Sequence, residues 1–274
     1  MTDPTPPAFL EAVQSYLAGR EAQFNYEALV HTFTDIERFH RWAGYMDRLR
    51  PLDGARVLSS GCGAGGSLLA YSDAGAALVE GVEVDAQFAH MARSRVADVE
   101  GVEVHELAPE ARLPIPDRSV DLIESMDVIE HVPDDERYLR ELRRVLAPGG
   151  IILVVTPNRI WPVEQHLGIA GPPWLPIGLA DTIFGLLALL PGLSADRRQK
   201  YRELRGMRTQ NMSMWRLRRL AKRLDLHMTV LHRTDDPGDP LPVDDPRAEQ
   251  LLRTWWGKYV APVKSLAVTF ERRS

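Results

Sequence analysis

Apolar runs of strand length alternate with amphipathic stretches through the middle of this chain. The runs lie near Arg56–Ser59, Leu78–Glu83, Val102–Glu106, Val120–Ser125 and Ile151–Thr156. The segments between them place apolar residues at intervals of three and four, which is the spacing of an amphipathic helix. Strands that alternate with helices form a mostly parallel sheet with right-handed crossovers. The pattern therefore predicts an α/β fold.

The two ends of the chain depart from this alternation. Residues 8–30 and 35–50 have apolar side chains at helical spacing, so we predict N-terminal helices that pack over one edge of the sheet or cover a ligand as a lid. Near the other end, His227–His232 and Leu266–Glu271 alternate apolar and polar residues, which indicates two late strands. Between these strands we expect a long helical segment that ends near residues 255–260.

Glycine and proline mark the predicted connections. The sequence APGG at Ala147–Gly150 is typical of a turn. The acidic, proline-rich sequence DDPGDPLPVDDP at Asp235–Pro246 predicts a solvated loop. We accordingly divide the chain into an N-terminal helical lid, residues 1–50, and one larger domain, residues 51–274.

An insertion of different composition, about residues 157–214, follows the fifth strand. It contains aromatic residues, prolines, a leucine-rich piece, LADTIFGLLALLPGL, and a basic stretch, SADRRQKYRELRGMR. Because α/β sheets bind ligands outside the carboxyl ends of their strands, we expect the insertion to form a cap over the substrate. The leucine-rich piece is shorter than the roughly 20 residues of a membrane span. We interpret it as a buried cap helix, with a lid that faces a lipid surface as the alternative. The basic stretch either meets phosphate or an anionic surface, or is a solvated helix face.

Composition argues against several classes of protein. Of the 274 residues, 45% are hydrophobic and 26% are charged, which is ordinary for a globular chain. The net charge of −5 argues against a general nucleic-acid surface, which is normally basic. Cys62 is the only cysteine, so no internal disulfide and no cysteine-rich zinc site can form. The N-terminus lacks the basic start and the apolar run of a signal peptide, so we expect a cytoplasmic protein.

The sequence VLSSGCGAGG, Val57–Gly66, gives the clearest indication of chemistry. Gly61, Gly63 and Gly65 follow the first strand and let the backbone approach a ligand where a Cβ would clash. The N–H groups at the start of the next helix can bind that ligand. Glu83 ends the second strand, where its carboxylate can accept two hydrogen bonds from the hydroxyls of a ribose. The loop and the acid together predict a nucleoside site.

The spacing of the glycines separates two kinds of nucleoside. Dinucleotide sites carry G-x-G-x-x-G and hold a pyrophosphate at the helix N-terminus, whereas this loop reads G-C-G-A-G-G. No lysine or arginine directly follows the loop, and the chain contains no GK[ST] sequence. These features favour a nucleoside that carries no phosphate.

Four motifs in series, from Leu52 to Asn158, resemble the class I S-adenosylmethionine-dependent methyltransferases. VLSSGCGAGG is similar to their first motif and GVEVD to their ribose-binding strand. LPIPDRSVDLIESMDVIEHVPD and LRRVLAPGGIILVVTPN are similar to the runs around their fourth and fifth strands. The motifs cover about 105 of the 274 residues, in the family's order. The resemblance implies S-adenosyl-L-methionine as the cofactor. It also implies a Rossmann-like, mostly parallel seven-stranded sheet with helices on both faces and an antiparallel strand pair at the end.

The resemblance also implies which residues bind the methyl donor. The implied set is Ser59, Gly61, Cys62, Gly63, Gly65, Glu83, Val84, Glu110, Ala111, Ser125 and Met126. Within it, Cys62 is interpreted as a small filler of the loop rather than a nucleophile. Two positions depart from the family. Ser59 stands where the family usually has an acid near the methionyl amine of the donor, and Pro109 stands where it usually has an aspartate near the adenine, with Glu110 beside it.

A general base would assist transfer to a hydroxyl group. The candidates are His131, just past the fourth strand, His166 in the cap and His31 in the N-terminal helices. His40 is a further candidate, and Tyr26 could orient an acceptor. A packing or structural role is the alternative for each of them.

The remaining features concern the acceptor and the reaction. Trp161 and Trp174 are candidate walls of the acceptor pocket, with plain packing as the alternative. We expect no metal site, because no HxxxH sequence or repeated acid pair stands at ligand spacing. A nucleic-acid substrate is disfavoured because ESMD stands where an (N/D)PP(Y/F) motif would end the fourth strand.

Together these features predict an S-adenosylmethionine-dependent methyltransferase. We expect it to methylate an oxygen of a small-molecule, natural-product, lipid-linked or carrier-linked acceptor. Transfer to nitrogen or carbon is the first alternative. The second is a donor-binding protein that no longer methylates, which the departures at Ser59 and Pro109 keep open. The expected partner is the acceptor and not a nucleic acid, and a peripheral membrane contact through the cap is the alternative to a buried cap helix.

Overall fold

The computed structural model of the protein describes residues 5–20, 26–161, 163–164, 169–170, 176–204, 212–231, 250, 254 and 264–273. The predicted long helix that ends near residues 255–260 lies outside this part of the chain, and so does the predicted loop Asp235–Pro246. The candidate base His166 and the candidate pocket wall Trp174 also lie outside the described residues.

Helices and strands alternate through the described residues. The helices are α1 (Pro7–Leu17), α2 (Tyr26–Thr34), α3 (Glu37–Leu49), α4 (Gly66–Asp73), α5 (Ala86–Arg95), α6 (Asp135–Val145), α7 (Ile177–Leu187), α8 (Ala195–Leu204) and α9 (Met214–Arg223). The strands are β1 (Arg56–Ser60), β2 (Leu78–Glu83), β3 (Val102–Glu106), β4 (Val120–Met126), β5 (Leu146–Pro157), β6 (Val163–Glu164), β7 (Ile169–Ala170), β8 (Leu226–Val230) and β9 (Ser265–Arg272).

Local sequence explains where several helices begin. The carboxylate of Asp85 accepts hydrogen bonds from the backbone N–H groups of Gln87 and Phe88 at 2.8 and 3.1 Å, and so caps α5 directly after β2. The hydroxyl of Ser213 accepts from the N–H of Arg216 and caps α9 in the same way. A short polar side chain at each position satisfies N–H groups that have no partner within the helix.

Seven strands form one sheet in the order β3-β2-β1-β4-β5-β9-β8. Strand β1 pairs in parallel with β2 and β4, and β2 pairs in parallel with β3, whereas β8 and β9 are antiparallel. The fold class predicted from the sequence, a mostly parallel Rossmann-like sheet with an antiparallel pair at the end, is therefore confirmed. The strand order reverses between β1 and β4, and ligands bind at such a switch point in open α/β sheets.

One predicted turn is wrong. Residues 147–150 belong to β5, which begins at Leu146 rather than near Ile151. The glycines permit this geometry, because Gly149 has φ +74° and a Cβ on Gly150 would lie 2.8 Å from the carbonyl oxygen of Asp121. This segment therefore runs against the start of β4 instead of turning away from the sheet.

The first N-terminal stretch predicted to be helical is divided. Helix α1 ends at Leu17, Gly19 follows with φ +74°, and α2 begins at Tyr26. A positive φ cannot continue a right-handed helix, and glycine adopts it without strain. The second stretch forms a single helix, α3, over most of the predicted range.

The chain divides into two compact units. The first contains the described residues up to Ser125 together with Glu141–Ile152, and the second contains Met126–Arg140 and the described residues from Leu153 onwards. Each unit is described by itself below.

In the first unit, the N-terminal helices pack around the loop between β1 and α4. One apolar cluster joins Phe9 and Val13 of α1, Phe33 of α2, Met91 of α5 and Ala64 of that loop. A Cβ placed on Gly66, the first residue of α4, would lie 2.2 Å from the ring of Phe39 in α3. The N-terminal helices thus contact the glycine loop, which the sequence predicts to bind the ligand. That these helices act as a lid remains a prediction.

The second unit contains α7 and α8, which pack on each other, and α9, which packs on β8. The ring of Phe184 in α7 stacks on that of Tyr201 in α8, with their centroids 5.9 Å apart. Residues 163–164 and 169–170 form a small antiparallel pair. No helix in the described part of the chain is both long enough and apolar enough to cross a membrane.

Candidate active site

The glycine loop, Gly61–Gly65, has a backbone conformation that favours residues without a side chain. Its three alternate glycines, Gly61, Gly63 and Gly65, have φ values of 78°, 53° and 78°. These values lie in the left-handed region, which side chains with a Cβ rarely adopt. The N–H groups of Gly61 and Cys62 donate to the carbonyl oxygen of Val82 at 2.8 and 3.0 Å, so the loop is held against β2.

The glycines serve two different purposes. A Cβ on Gly65 would lie 3.0 Å from the Cα of Ala92, so this glycine lets the loop pack closely against α5. A Cβ on Gly63 would meet no protein atom within 4 Å. The space beside Gly63 is therefore open to a ligand that approaches the backbone.

Glu83 is oriented by three backbone N–H groups. Its Oε2 accepts from Gly63 at 2.9 Å, and its Oε1 accepts from Val84 and Asp85 at 2.8 and 3.0 Å. One of these bonds ties the loop to β2, and the other two close the turn into α5. Because a carboxylate oxygen can accept two hydrogen bonds, Oε2 keeps a lone pair for a further donor.

The residues around Glu83 fit a nucleoside without phosphate. Val84 is 57% exposed and provides an apolar surface directly after the carboxylate. The open space at Gly63 lies on the other side of the same carboxylate, to which its N–H is bonded. An adenosine group has an apolar base, which matches the side chain of Val84, and two vicinal hydroxyls, which match the carboxylate of Glu83. The open space beside Gly63 lets such a group approach the backbone.

Cys62 lies inside this loop and is chemically inert. Burial, and after it the negative charge of Glu83, raise the pKa of its thiol to about 12. A thiol is nucleophilic only as the thiolate, so Cys62 cannot serve as a nucleophile near neutral pH. This supports the interpretation of Cys62 as a small filler of the loop.

A buried polar cluster lies where Ser59 departs from the family. Ser59 stands opposite Glu124 in the pairing of β1 with β4, and its hydroxyl donates to Glu124 Oε2 at 2.9 Å. The Ser59 hydroxyl also lies 3.1 Å from the Ser67 hydroxyl in the first turn of α4. The hydroxyl of Tyr71, one turn further along α4, is fully buried close to the same carboxyl group. Glu124 is itself 3% exposed.

Burial decides the protonation chemistry of this cluster. Desolvation raises the pKa of Glu124, and the hydrogen bond from Ser59, together with the nearby hydroxyls of Tyr71 and Ser67, opposes that rise. The pKa of Tyr71 is also raised, first by burial and then by the charge of Glu124. A carboxyl group is thus present next to the glycine loop, although it is carried by β4 rather than by β1.

Comparison with known proteins places this site in a family. Residues 58–154 match the family model described as a methyltransferase domain. A probable S-adenosylmethionine-dependent methyltransferase of Mycobacterium tuberculosis is 41% identical over 131 residues, which are 46% of this chain and 45% of that protein. The ubiquinone biosynthesis O-methyltransferase of Paracidovorax citrulli is 30% identical over 144 residues, 49% of this chain and 60% of that protein. The chain thus spans about half the length of these relatives.

A solved structure shares the fold. The crystal structure of an S-adenosylmethionine-dependent methyltransferase from Mesorhizobium loti matches with a TM-score of 0.55 at 16% identity, covering 86% of this chain and all of that chain. Residues 58–154 are similar to a methyltransferase domain. The family match includes the loop Gly61–Gly65 and Glu83, and S-adenosylmethionine is the donor named for the bacterial relative. The family and the cofactor predicted from the sequence are confirmed at this level.

The other predicted donor residues of the methyltransferase domain lie at strand ends and in a turn. Ser125 is fully buried and stands opposite Ser60, the last residue of β1. Met126, half-buried at the end of β4, belongs to the second unit. Glu110 has φ +61° and is exposed, and Ala111 donates its N–H to the carbonyl of Ala108. The roles of these four residues stay predictions.

The candidate bases occupy different environments. His31 is on the surface of the first unit, 3.6 Å from Asp35, with a side chain that is 68% exposed. His40 is also exposed and lies 3.0 Å from Asp73. His131 belongs to the second unit and is partly buried, with its Nε2 3.8 Å from Oε1 of the buried Glu130.

Trp161 and Tyr26 are the other described residues that were predicted to contact the acceptor. Trp161 is half-buried and donates its backbone N–H to the carbonyl of Asn158 at 3.0 Å. Tyr26 is half-buried at the start of α2. These observations do not test whether Trp161 or Tyr26 binds the acceptor, so both roles remain predictions.

One group in the described residues has ligand-type side chains. Glu80, Glu103 and His105 bring their polar atoms within 4.8 Å of one another on β2 and β3. The guanidinium of Arg56 lies 3.6 Å from Glu80, so a positive charge already faces the most buried member of the group. We therefore interpret these residues as an ion-pair cluster on the sheet.

Glu124, Ser67 and Tyr71 were not among the site residues predicted from the sequence. A signal was present, because an acid interrupts the apolar run VDLIES at Glu124, and acids are rarely buried without a partner. The partners could not be found from the sequence, since they come from β1 and α4 and depend on the register of the sheet.

Proposed function

We propose that this protein is an S-adenosylmethionine-dependent methyltransferase that acts on an oxygen of a small-molecule or lipid-linked acceptor. The observation that carries the donor assignment is the loop Gly61–Gly65, held to the carboxylate of Glu83 by the 2.9 Å bond from Gly63. Support for oxygen as the acceptor atom comes from the ubiquinone biosynthesis O-methyltransferase, to which the chain is similar over 144 residues.

When bound, the donor supplies an electrophilic methyl group on a sulfonium. The residues of the chain would bind and orient it. Glu83 would accept the ribose hydroxyls, Val84 would cover the base, and the loop backbone would approach where Gly63 leaves space. Correct alignment of two reactants supplies a large part of the rate in such a displacement.

We propose His131 as the base that takes the proton from the acceptor hydroxyl. The carboxylate of Glu130, 3.8 Å away, would orient the ring and stabilise its protonated form. Glu130 is in turn fixed by the hydroxyl of Thr156, which donates to its Oε2 at 2.9 Å. A base that is itself held by a buried carboxylate matches the arrangement used in other acid–base sites.

Replacing His131 by alanine tests this role. We expect kcat to fall about 100- to 10,000-fold, the usual contribution of a general base, while the affinity for S-adenosylmethionine stays the same. Single-turnover methyl transfer and calorimetric titration measure the two quantities. The matched control is His40→Ala, which removes an exposed histidine that pairs with Asp73. Wild-type kcat in the His131 variant would refute the assignment.

The function itself is tested by titration and mass measurement. We expect both S-adenosylmethionine and its demethylated product to bind, and an acceptor incubated with the donor to gain one methyl. An acceptor that gains a methyl on nitrogen or carbon would replace the oxygen proposal. Donor binding with an acceptor that changes structure without gaining mass would support the non-methylating alternative.

We further propose that α7 contacts a membrane surface. Leu179, Leu186, Leu189 and Leu190, on α7 and the turn after it, are between 48% and 71% exposed. The opposite face of the helix is buried and packs on α8. An apolar stripe beside a basic helix is typical of a segment that lies on an anionic lipid surface.

The charges for such a contact are provided by α8. It carries Arg197, Arg198, Lys200 and Arg202, and the guanidinium of Arg198 donates to the carbonyl of Leu190 at 3.5 Å. That bond places one basic side chain beside the exposed leucines. An acceptor dissolved in the membrane would then be delivered near the protein.

Co-sedimentation with vesicles tests the membrane proposal. Wild-type protein should bind vesicles of phosphatidylcholine and phosphatidylglycerol more strongly than vesicles of phosphatidylcholine alone. The double variant Leu186→Glu, Leu189→Glu should lose about tenfold or more in binding, because two apolar contacts are replaced by charges that anionic lipid repels. The control is Leu10→Glu, the same change at a leucine of α1 that is 46% exposed. Equal loss in both variants would contradict the proposal.

A further inference from the structure

Glu124 is a buried acid whose carboxyl group is surrounded by hydroxyl groups. It is 3% exposed, and the groups that contact its carboxyl are hydroxyls of Ser59, Ser67 and Tyr71. No lysine, arginine or histidine among the described residues forms an ion pair with it. A buried acid without a cationic partner destabilises the folded state relative to a neutral group of the same shape.

The cluster does not need a charge for its own hydrogen bonds. An amide oxygen at the same position would also accept from Ser59, although more weakly than a carboxylate does. The cluster could therefore form around a neutral residue at this position, without the cost of burying an acid. Groups that oppose stability without a structural gain tend to occur at functional sites.

The position of the cluster indicates what it supports. Ser59 is two residues before Gly61, and Ser67 is in the first turn of α4, two residues after Gly65. The Ser67 hydroxyl bonds to that of Ser59, which donates to Glu124, so a chain of hydrogen bonds links the two ends of the glycine loop to one buried group. Its charge is also felt inside the loop, since Glu124 is one of the groups that raise the pKa of the Cys62 thiol.

We propose that Glu124 is a positioning residue of the donor site, whose carboxylate fixes both ends of the glycine loop and favours a positively charged ligand on it. This inference rests on the proposed function, because it takes the ligand to be S-adenosylmethionine. The donor carries a net positive charge from its sulfonium, whereas the demethylated product S-adenosylhomocysteine has none. A negative charge buried under the loop therefore favours the donor over its product.

The test compares the wild type with Glu124→Gln. We expect the variant to bind S-adenosylmethionine about tenfold more weakly by calorimetric titration and S-adenosylhomocysteine less than about threefold more weakly, because only the donor loses a charge attraction. Its unfolding temperature near neutral pH should be equal to that of the wild type or higher. Equal donor affinity in both proteins would overturn the proposal. Equal losses for both ligands with a lower unfolding temperature would also overturn it, since that result indicates a structural role.

The pH dependence gives a second readout. Because burial raises the pKa of Glu124, the folded state of the wild type holds its proton more tightly than the unfolded chain does. That contribution to stability is present at low pH and is lost as pH rises through the raised value. The unfolding temperature of Glu124→Gln minus that of the wild type should therefore increase as the pH rises above the ordinary pKa of a glutamate. Tyr71 and Cys62, the other titratable groups around the carboxyl, ionise only at higher pH.

A charge relocation completes the design. The double variant Ser59→Asp, Glu124→Ser moves the carboxylate across the same pair of strand positions. We expect it to recover part of the preference for the donor over the product that Glu124→Gln loses. If the folded double variant does not recover this preference, the effect depends on the geometry of Glu124. That result would contradict the proposed role of its charge. The same titrations show whether the wild type binds S-adenosylmethionine at all. Absence of binding to the wild type would contradict the proposed function, whereas equal binding to the wild type and Glu124→Gln would contradict only the role of Glu124.

Discussion

Valine in place of Gly63 should abolish donor binding while the domain stays folded. The side chain would fill the open space beside the loop, where no protein atom lies within 4 Å of the added Cβ. Because the collision is with the ligand and not with the protein, the folded state loses only the strain of a positive φ, about 1–3 kcal/mol. We expect affinity for S-adenosylmethionine to fall more than about 100-fold, or more than about 2.7 kcal/mol. Calorimetric titration and thermal unfolding measure the two effects.

The matched control for this substitution is Gly54→Val. Gly54 has φ +72°, close to the +53° of Gly63, and a Cβ there also meets nothing within 4 Å. It lies in the turn before β1 rather than in the glycine loop, so it should reproduce the loss of stability without the loss of binding. Unchanged donor affinity in Gly63→Val would mean that the loop does not hold the ligand.

Removal of the Glu83 carboxylate is the second large effect. In Glu83→Ala the ribose loses an ionised acceptor, and the loop loses the bond that Gly63 donates at 2.9 Å. Two charge-assisted hydrogen bonds and a loosened loop should together cost about 2–4 kcal/mol of binding, a loss of about 30- to 1,000-fold in affinity. Stability should fall by only about 1 kcal/mol, because Val84 and Asp85 can donate to water instead.

Glu106→Ala provides the comparison. Glu106 stands opposite Glu83 in the pairing of β2 with β3 and also ends its strand, but its carboxylate pairs with the exposed Arg93 at 3.1 Å. We expect its donor affinity to stay within about twofold of the wild type, since exposed ion pairs contribute little. Similar losses of donor affinity in both variants would show that any negative charge at this edge of the sheet favours donor binding. Glu83 would then have no specific role.

Features that depend on neighbours in the sequence were predictable. The glycines and Glu83 follow apolar runs at characteristic spacing, so the loop and the acid could be placed before the structure was known. The strands β2 and β3 begin and end where the apolar runs do. The predicted turn at 147–150 was wrong because glycine has two uses. It permits a turn, and it also permits the close approach to Asp121 seen at Gly150.

Features that depend on register could not be predicted. The sequence shows a serine at position 59 and an acid at position 124, but only the pairing of β1 with β4 brings them within 2.9 Å. A carboxyl group is therefore present beside Ser59, although the neighbouring strand carries it. Likewise, the leucine-rich piece was expected to be buried, whereas one face of α7 packs on α8 and the other is exposed, an arrangement that the spacing of leucines alone does not decide.

The protected thiol of Cys62 has a practical consequence for labelling. Burial both covers this thiol and raises its pKa to about 12, so maleimides should react with it far more slowly than with an exposed cysteine. It is also the only cysteine in the chain. A single substitution such as Leu189→Cys would thus introduce the one reactive thiol of the molecule without any need to remove a native one. An environment-sensitive fluorophore or a spin label attached there would report directly whether that leucine enters a lipid bilayer.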